Sequence, residues 1–340
     1  MIQSVLSEYG FNDDPPQVET FGNGLINHTW KLTVGDKEYI VQRINSEVFK
    51  HPEDIAHNIN VIAEYLHSHF PAYPFVAPIA GNGGNKMIYD KNKGYFRIFP
   101  FVPGSHSVDV VETPEQAFEA ASQFGRFSKL LSGIDISKIK ITIPGFHDLS
   151  LRYNQFLQAL QYGNKERIDQ SAALIETLQG FSDIVSVYDD IVRNPQFKLR
   201  VTHHDTKISN VLFDNNDRGL CVIDLDTVMP GYFISDVGDM MRTCLCPVSE
   251  EEKDFSKICV RKEFYNAIAD GYYSEMKDEL TETEKKHFLY SGKFIIYMQA
   301  IRFLTDYLQN DIYYGAKYPE QNLVRAGNQA VLLQRLSEIL

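Results

Sequence analysis

The spacing His203-x-Asp205-x-Lys207-x-x-Asn210, followed by Ile223-Asp224-Leu225-Asp226, constrains this chain more than any other feature. The apolar segments Val211-Leu-Phe213 and Leu220-Cys-Val-Ile223 flank the turn residues Asp214-Asn-Asn-Asp-Arg-Gly219, so they pair as a hairpin. That hairpin brings Asn210 and Asp224 together. Phosphoryl transfer uses this set of side chains. A carboxylate, Asp205, accepts the proton of an attacking hydroxyl. A lysine, Lys207, offsets charge on the moving group. An amide oxygen, Asn210, and a second carboxylate, Asp224, hold Mg2+ against the phosphates of ATP. Each residue has a plainer reading when taken singly: Asp205 as a turn residue, Asn210 and Asp224 as strand ends, Lys207 as a solvated charge. His203 is expected to order the loop by hydrogen bonds. Asp236 is expected to brace it or cap a helix.

The same spacing belongs to the catalytic loop of protein kinases, and the rest of the chain reads in that order. Val18–Phe21, Thr29–Val34 and Tyr39–Ile44 alternate as strands, broken at Gly22-Asn-Gly24 and turned at Gly35-Asp36. Pro52-Glu-Asp54 opens a helix to about His69. Strands are expected at Phe75–Pro78, Lys86–Tyr89 and Tyr95–Phe99, then a hinge at Phe99-Pro-Phe-Val-Pro-Gly104. Beyond it the period becomes helical. Thr113-Pro114 is an N-cap with proline at the first helical position, and further helices are expected over 149–162, 165–179, 181–192, 250–276 and 283–309. Thr281-Glu-Thr-Glu284 is a capping box for the last. The fold class is therefore α+β: a bilobal, protein-kinase-like fold. Residues 1–102 form a small β-rich N-lobe, a nucleotide-binding sheet with one main helix. Residues 103–340 form a larger, mainly helical C-lobe with the catalytic loop and substrate site.

A chain of 340 residues is long enough for two lobes. Its net charge of −12 argues against a nucleic-acid partner. No apolar run reaches membrane-spanning length, and the first residues lack the basic-then-apolar pattern of a signal peptide, so a cytoplasmic location without membrane contact is expected. Cys221, Cys244, Cys246 and Cys259 form no metal-ligand spacing and read as reduced packing thiols. His67-x-His69 likewise reads as no metal site. The oligomeric state is not legible.

Gly22 and Gly24 are expected to cover phosphates through backbone amides, with Phe101 and Val102 of the hinge beside the nucleotide. Where protein kinases carry a β3 lysine, this chain reads Ile40-Val-Gln-Arg43, so Arg43 is the candidate phosphate cation, or an exposed strand arginine. Arg302 lies beside the apolar stripe Phe294, Ile295, Met298, Ile301 and needs an acceptor, either Asp306 one turn on or a polar substrate.

Taken together, the chain resembles the aminoglycoside and choline phosphotransferase superfamily over nearly its whole length. The likeness is carried by Gly22-x-Gly24-x-Ile26-Asn27, Ile40-x-Gln42-Arg43-x-Asn45, Thr202-His203-x-Asp205-Thr206-Lys207-x-x-Asn210, Ile223-Asp-Leu-Asp-Thr-x-Met-Pro-Gly231, and Arg302-Phe-Leu-x-Asp-Tyr-Leu308 through Tyr318-Pro-Glu-x-Asn-Leu-Val-Arg325. The C-terminal pieces are not general kinase features and resemble the branch that phosphorylates N-acetylhexosamines. The resemblance implies ATP and Mg2+ as cofactors and a small-molecule sugar phosphorylated at its anomeric hydroxyl. It further implies sugar contacts from Asp205, Arg302 and Tyr313. Leu25 stands where that branch has a histidine near the sugar, and Asn60 where the acidic residue of the first-lobe helix aligns. The competing expectations are a kinase of another hydroxyl compound (choline, ethanolamine, homoserine or an aminoglycoside) and a nucleotide-binding pseudokinase.

Overall fold

The computed structural model describes residues 3–11, 16–22 and 26–339. Gly24 and Leu25 lie outside them. After a short helix α1 (Gln3–Glu8) come strands β1 (Gln17–Thr20), β2 (His28–Val34) and β3 (Lys37–Arg43), helix α2 (Pro52–His69), and strands β4 (Ile88–Asp90) and β5 (Gly94–Pro100). The five strands make one antiparallel sheet in the order β1-β2-β3-β5-β4. The β2–β3 loop is two residues long, with Val34 opposite Lys37 and Gly35 at φ +60, a backbone conformation that glycine reaches without strain.

Register decides what each face of the sheet carries. Val41 pairs with Ile98 and Arg43 with Phe96. Val41, Phe96 and Ile98 are buried with Leu32 against Val5 and Leu6 of α1. The opposite face carries Gln42 opposite Arg97 and Ile40 opposite Phe99, and it looks toward the larger lobe. The segment Phe75–Pro78 forms no strand. Prolines at 74 and 78 remove ladder donors, and only the Ile79 amide beyond them reaches Ile98 O, at 2.8 Å.

The remainder is mainly helical: α3 (Pro114–Leu130), α4 (Leu149–Tyr162), α5 (Lys165–Gln170), α6 (Ala172–Gln179), α7 (Asp183–Arg193), β6 (Arg200–Thr202), β7 (Val211–Phe213), β8 (Gly219–Val222), β9 (Met229–Gly231), α8 (Phe233–Cys244), α9 (Lys262–Met276), α10 (Glu282–Lys286), α11 (Phe288–Leu308) and α12 (Gln321–Ile339). Helix α11 is apolar around nearly its whole circumference and packs on α4, α8 and α12, as a central helix must. Ile55, Ile59, Ile62 and Leu66 of α2 join this large core and not the core of the sheet.

Three expected helices come out shorter. The 250–276 helix begins at Lys262: Asp254 caps a single turn through Ser256, and Glu250 is drawn to Arg242 and Arg325. The 165–179 helix breaks at Ser171, whose hydroxyl donates back to Arg167 O at 2.7 Å. The 283–309 helix breaks at His287. The Thr281–Glu284 capping box is formed, and it caps α10. Glu284, fully buried, also takes a two-pronged ion pair from Arg200, at 2.5 and 2.9 Å. This ties α10 to the strand that leads into the catalytic loop. Among the described residues, no helix is long and apolar enough to cross a membrane.

Candidate active site

The loop after β6 is held from beneath. Asp236 at the start of α8 is fully buried. It accepts the amides of His203 (3.0 Å) and His204 (2.8 Å), while Asp239 accepts the amide of Thr206 at 2.8 Å. Asp236 therefore braces the loop, one of the two roles the sequence left open. His203 orders it as well: Nε2 sits 2.9 Å from Ile223 O, and the ring edges against Phe124 and Phe127. His204 is buried in the left-handed region at φ 65, and burial lowers its pKa to about 4, so it stays neutral. These constraints fix the backbone on both sides of Asp205.

Lys207 Nζ lies 3.1 Å from Asp205 Oδ2, and Asn210 Nδ2 donates to Asp205 O (2.8 Å) and Oδ2 (3.1 Å). Burial alone would lower the Lys207 pKa, but the carboxylates of Asp205 and Asp224 outweigh it and raise it. The β7–β8 hairpin returns Ile223 to a 2.9 Å hydrogen bond with Asn210 O, setting Asp224 next to Asn210. Asp224 is itself left-handed (φ 61, ψ 61), a costly conformation for a non-glycine residue that persists only where its surroundings fix it. Its side chain opens to the cleft. Enclosure between the lobes, then Asp226 and Asp205, raise its pKa above the usual carboxylate range, and Lys207 and Arg97 offset part of that rise. The donor set suits a divalent cation: the side-chain oxygens of Asn210 and Asp224 receive no hydrogen bond from the described residues, and three carboxylates, Asp205, Asp224 and Asp226, gather against two cations, Lys207 and Arg97.

On the sheet side, Gly22 has φ +74, which requires glycine there. Arg43 shares the side of the sheet carrying Val41 and Phe96, away from the cleft. Arg97, one strand over, is a cation on the cleft side; Lys31 of β2 shares that face and pairs with Glu38 at 2.6 Å. Arg97 is 1% exposed and paired with Asp226 at 2.5 Å. The Phe101 amide is taken by Glu38 O and the Val102 carbonyl by Ser105. The Phe101 carbonyl and Val102 amide make no hydrogen bond with described residues, which leaves them open to an adenine edge.

Arg302 does not pair with Asp306. Asp306, 2% exposed, accepts the amides of Tyr313 (2.7 Å) and Tyr314 (2.9 Å) and the amide side chain of Asn322 (3.1 Å). It thereby pins the loop after α11 and leaves Arg302 free. The Arg302 guanidinium is bonded to Gln299 at 3.0 Å and lies 5.5–5.9 Å from the rings of Phe146, Tyr313 and Tyr314. Arg152 lies close by. Burial, and next the charge of Arg302, lower its pKa. Phe146 in turn stacks edge-on toward His204, with ring centres 6.4 Å apart. One aromatic layer thus separates the Arg302–Tyr313 cluster from the catalytic loop.

The sequence model of the phosphotransferase enzyme family matches residues 17–272. The chain belongs to this family. Several solved structures share its fold. An aminoglycoside phosphotransferase from Alicyclobacillus acidocaldarius is 14% identical, with 99% of this chain and 96% of the other covered at a TM-score of 0.64. An amicoumacin kinase in complex with AMP-PNP and Ca2+ is 15% identical, covering 98% and 93%, TM-score 0.65. A choline/ethanolamine kinase family protein from Mesorhizobium loti is 16% identical, covering 98% and 90%, TM-score 0.59. The α+β, kinase-like architecture is therefore shared with these proteins, and the chain is a phosphotransferase.

Within this phosphotransferase, sequence reasoning missed Arg97, Arg152 and Arg242, whose guanidinium donates to Asp239 at 3.0 Å beneath the catalytic loop. Arg97 left a signal: a lone charge in the apolar strand Tyr95-Phe-Arg-Ile-Phe99 needs a buried partner, the argument that singled out Arg302. The partner could not be read, because Asp226 lies 129 positions away in another lobe.

Proposed function

We propose that this phosphotransferase is an ATP- and Mg2+-dependent N-acetylhexosamine 1-kinase, transferring a phosphoryl group to the anomeric hydroxyl of N-acetylglucosamine or N-acetylgalactosamine. Asp205 orients the hydroxyl and accepts its proton, and Lys207, 3.1 Å from it, faces the charge that moves with the phosphoryl group. Asn210 and Asp224 hold Mg2+, and the Gly22–Gly24 loop with Phe101 and Val102 holds the nucleotide. Magnesium, when bound, neutralises charge on the triphosphate.

The observation that carries the sugar reading is Arg302. Its guanidinium is partly buried and has no carboxylate partner among the described residues. It is ringed by Phe146, Tyr313 and Tyr314 one layer from the catalytic loop. A sugar supplies what that arrangement lacks: hydroxyl and amide oxygens for the guanidinium, and an apolar ring face for the tyrosines. A cationic amine, such as an amino alcohol or aminoglycoside, would meet Arg302 and Arg152 with like charge, a repulsive element against that class.

The test is ADP release with Mg2+ and ATP across N-acetylhexosamines, free hexoses, choline, ethanolamine, homoserine and an aminoglycoside. The expected result is a kcat/KM for an N-acetylhexosamine at least about a hundredfold above every amine, the scale of two buried polar contacts. Preference for any amine would reject the sugar reading.

A further inference from the structure

We propose that the buried Arg97–Asp226 ion pair is an interlobe latch that positions the metal-binding loop, in place of the lysine–glutamate pair of protein kinases. The inference rests on reading Asp224 as the metal carboxylate. The usual pair is missing here. On the cleft face of β3 stands Gln42, not lysine. On α2 the aligned residue is Asn60, and the nearby Asp54 is engaged by Lys140.

What replaces the pair is a closed polar network. Arg97 Nε and Nη2 donate to Gln42 Oε1 at 3.0 and 2.7 Å, and Nη1 pairs with Asp226 Oδ1 at 2.5 Å. Asp226 Oδ2 accepts Asn27 Nδ2 at 2.7 Å, and Asn27 Oδ1 accepts the Asn45 amide at 3.0 Å. Four segments meet there: the end of the glycine loop, β3 with its exit, β5, and the turn holding Asp224 in its left-handed conformation. Arg97 is 1% and Asp226 2% exposed; Arg97 Nε and Nη2 are hydrogen-bonded, while Nη1 and Asp226 Oδ1 meet as an ion pair by charge and proximity, with no other partner for either atom among the described residues. Both side chains are buried and committed to each other, Gln42 and Asn27, so both act as positioning residues. A charge buried this deeply without its partner is strongly unfavourable, so the lobes close in register only when the pair forms. Asn27, Gln42, Asn45 and Asp226, scattered through three separate motifs, become one device.

The test compares wild type with Arg97→Gln, Asp226→Asn, the double variant and Asn27→Ala. MgATP affinity and the affinity for ATP in EDTA are measured by calorimetry, together with kcat, the KM of the acceptor and Tm, all well below the lowest Tm. The latch predicts that each single charge variant weakens MgATP by roughly tenfold or more and lowers kcat, while ATP in EDTA and acceptor KM stay within about twofold; the double variant, neutral again, is no worse than either single. Asn27→Ala, which keeps the ion pair, weakens MgATP by about threefold, and it and the double variant decide the matter if the singles do not fold. A lowered Tm with MgATP affinity and kcat within about twofold of wild type would make the pair merely structural and overturn the proposal. Asp224→Asn run in parallel separates the two readings. If it loses MgATP and the latch variants do not, the latch alone fails. If it keeps MgATP, the metal assignment fails first.

Discussion

At the scale of single residues, the site divides into groups that do chemistry and groups that aim them. Asp205→Asn keeps the shape of the side chain and its contact with Asn210 but not the basic oxygen. We expect kcat to fall by about 10²–10⁴ with MgATP affinity retained, measured by steady-state rates and calorimetry; a variant keeping more than about a tenth of kcat would remove Asp205 as the base. Arg302→Ala should cost about 1.5–3 kcal/mol in kcat/KM for the sugar, the scale of hydrogen bonds to a charged group, with the KM for ATP unchanged. Because Asp306 is committed to Tyr313, Tyr314 and Asn322, Tm should barely move. A purely thermal effect would return Arg302 to the scaffold. Asp224 gives a pH signature. Its folded pKa is raised from 3.8, so the metal-free protein gains from it only while it is protonated, and that support is lost as pH rises toward the folded value of about 7. Metal-free wild type should therefore lose Tm relative to Asp224→Asn as pH rises through this window, and Mg2+ with ATP should raise the Tm of wild type but not of the variant. Parallel Tm curves for the two proteins would contradict it. The residues proposed for the chemistry could be singled out because the reaction would dictate their types and spacing, and the structure brings Asp205, Lys207, Asn210 and Asp224 together. Arg97 and Arg152 were not legible, since what makes them informative is the absence or distance of a partner.

Elements hold these residues through buried polar anchors. Glu284 caps α10 and pairs with Arg200 at the root of β6, both out of solvent. Removing one partner leaves a buried charge, so Glu284→Ala should cost about 3–5 kcal/mol of stability, visible as a large drop in Tm; a loss under about 1 kcal/mol would mean that water replaces the carboxylate. A second anchor holds the substrate-side loop. Asn322, fully buried on α12, donates to Asp306 (3.1 Å), Asp311 (2.9 Å) and Gly315 O (3.0 Å). Asn322→Ala should raise the acceptor KM several-fold through Tyr313, with a stability loss of about 1–3 kcal/mol and an unchanged KM for ATP. Equal effects on both substrates would show that the loop serves the fold and not the acceptor. Helix periods and caps were readable wherever local chemistry decides: Thr113 accepts from Gln116, and Thr281 with Glu284 forms its box. Breaks were not, because at Ser171 and His287 the pattern of apolar residues continues while the side chains bond back to Arg167 O and Thr283 O, which periodicity does not reveal. The strand expected at Phe75–Pro78 failed for the reverse reason: its residues have strand character, but its prolines deny it a ladder.

At the scale of the molecule, a five-stranded sheet closes on a helical lobe, and Asp205, Lys207, Asn210 and Asp224 gather in the loop and hairpin that face it. Membership of the phosphotransferase family fixes the reaction class, while the acceptor is, on the proposed reading, decided by the Arg302–Tyr313 cluster. The direct measurement is 31P NMR of the product formed from ATP, Mg2+ and N-acetylglucosamine or N-acetylgalactosamine. The account predicts a sugar monophosphate whose phosphorus couples to a single proton, the one on the anomeric carbon, and whose signal is lost with Asp205→Asn. A phosphorus coupled to the two protons of a primary hydroxyl carbon, or transfer to amine acceptors with none to either sugar, would contradict it.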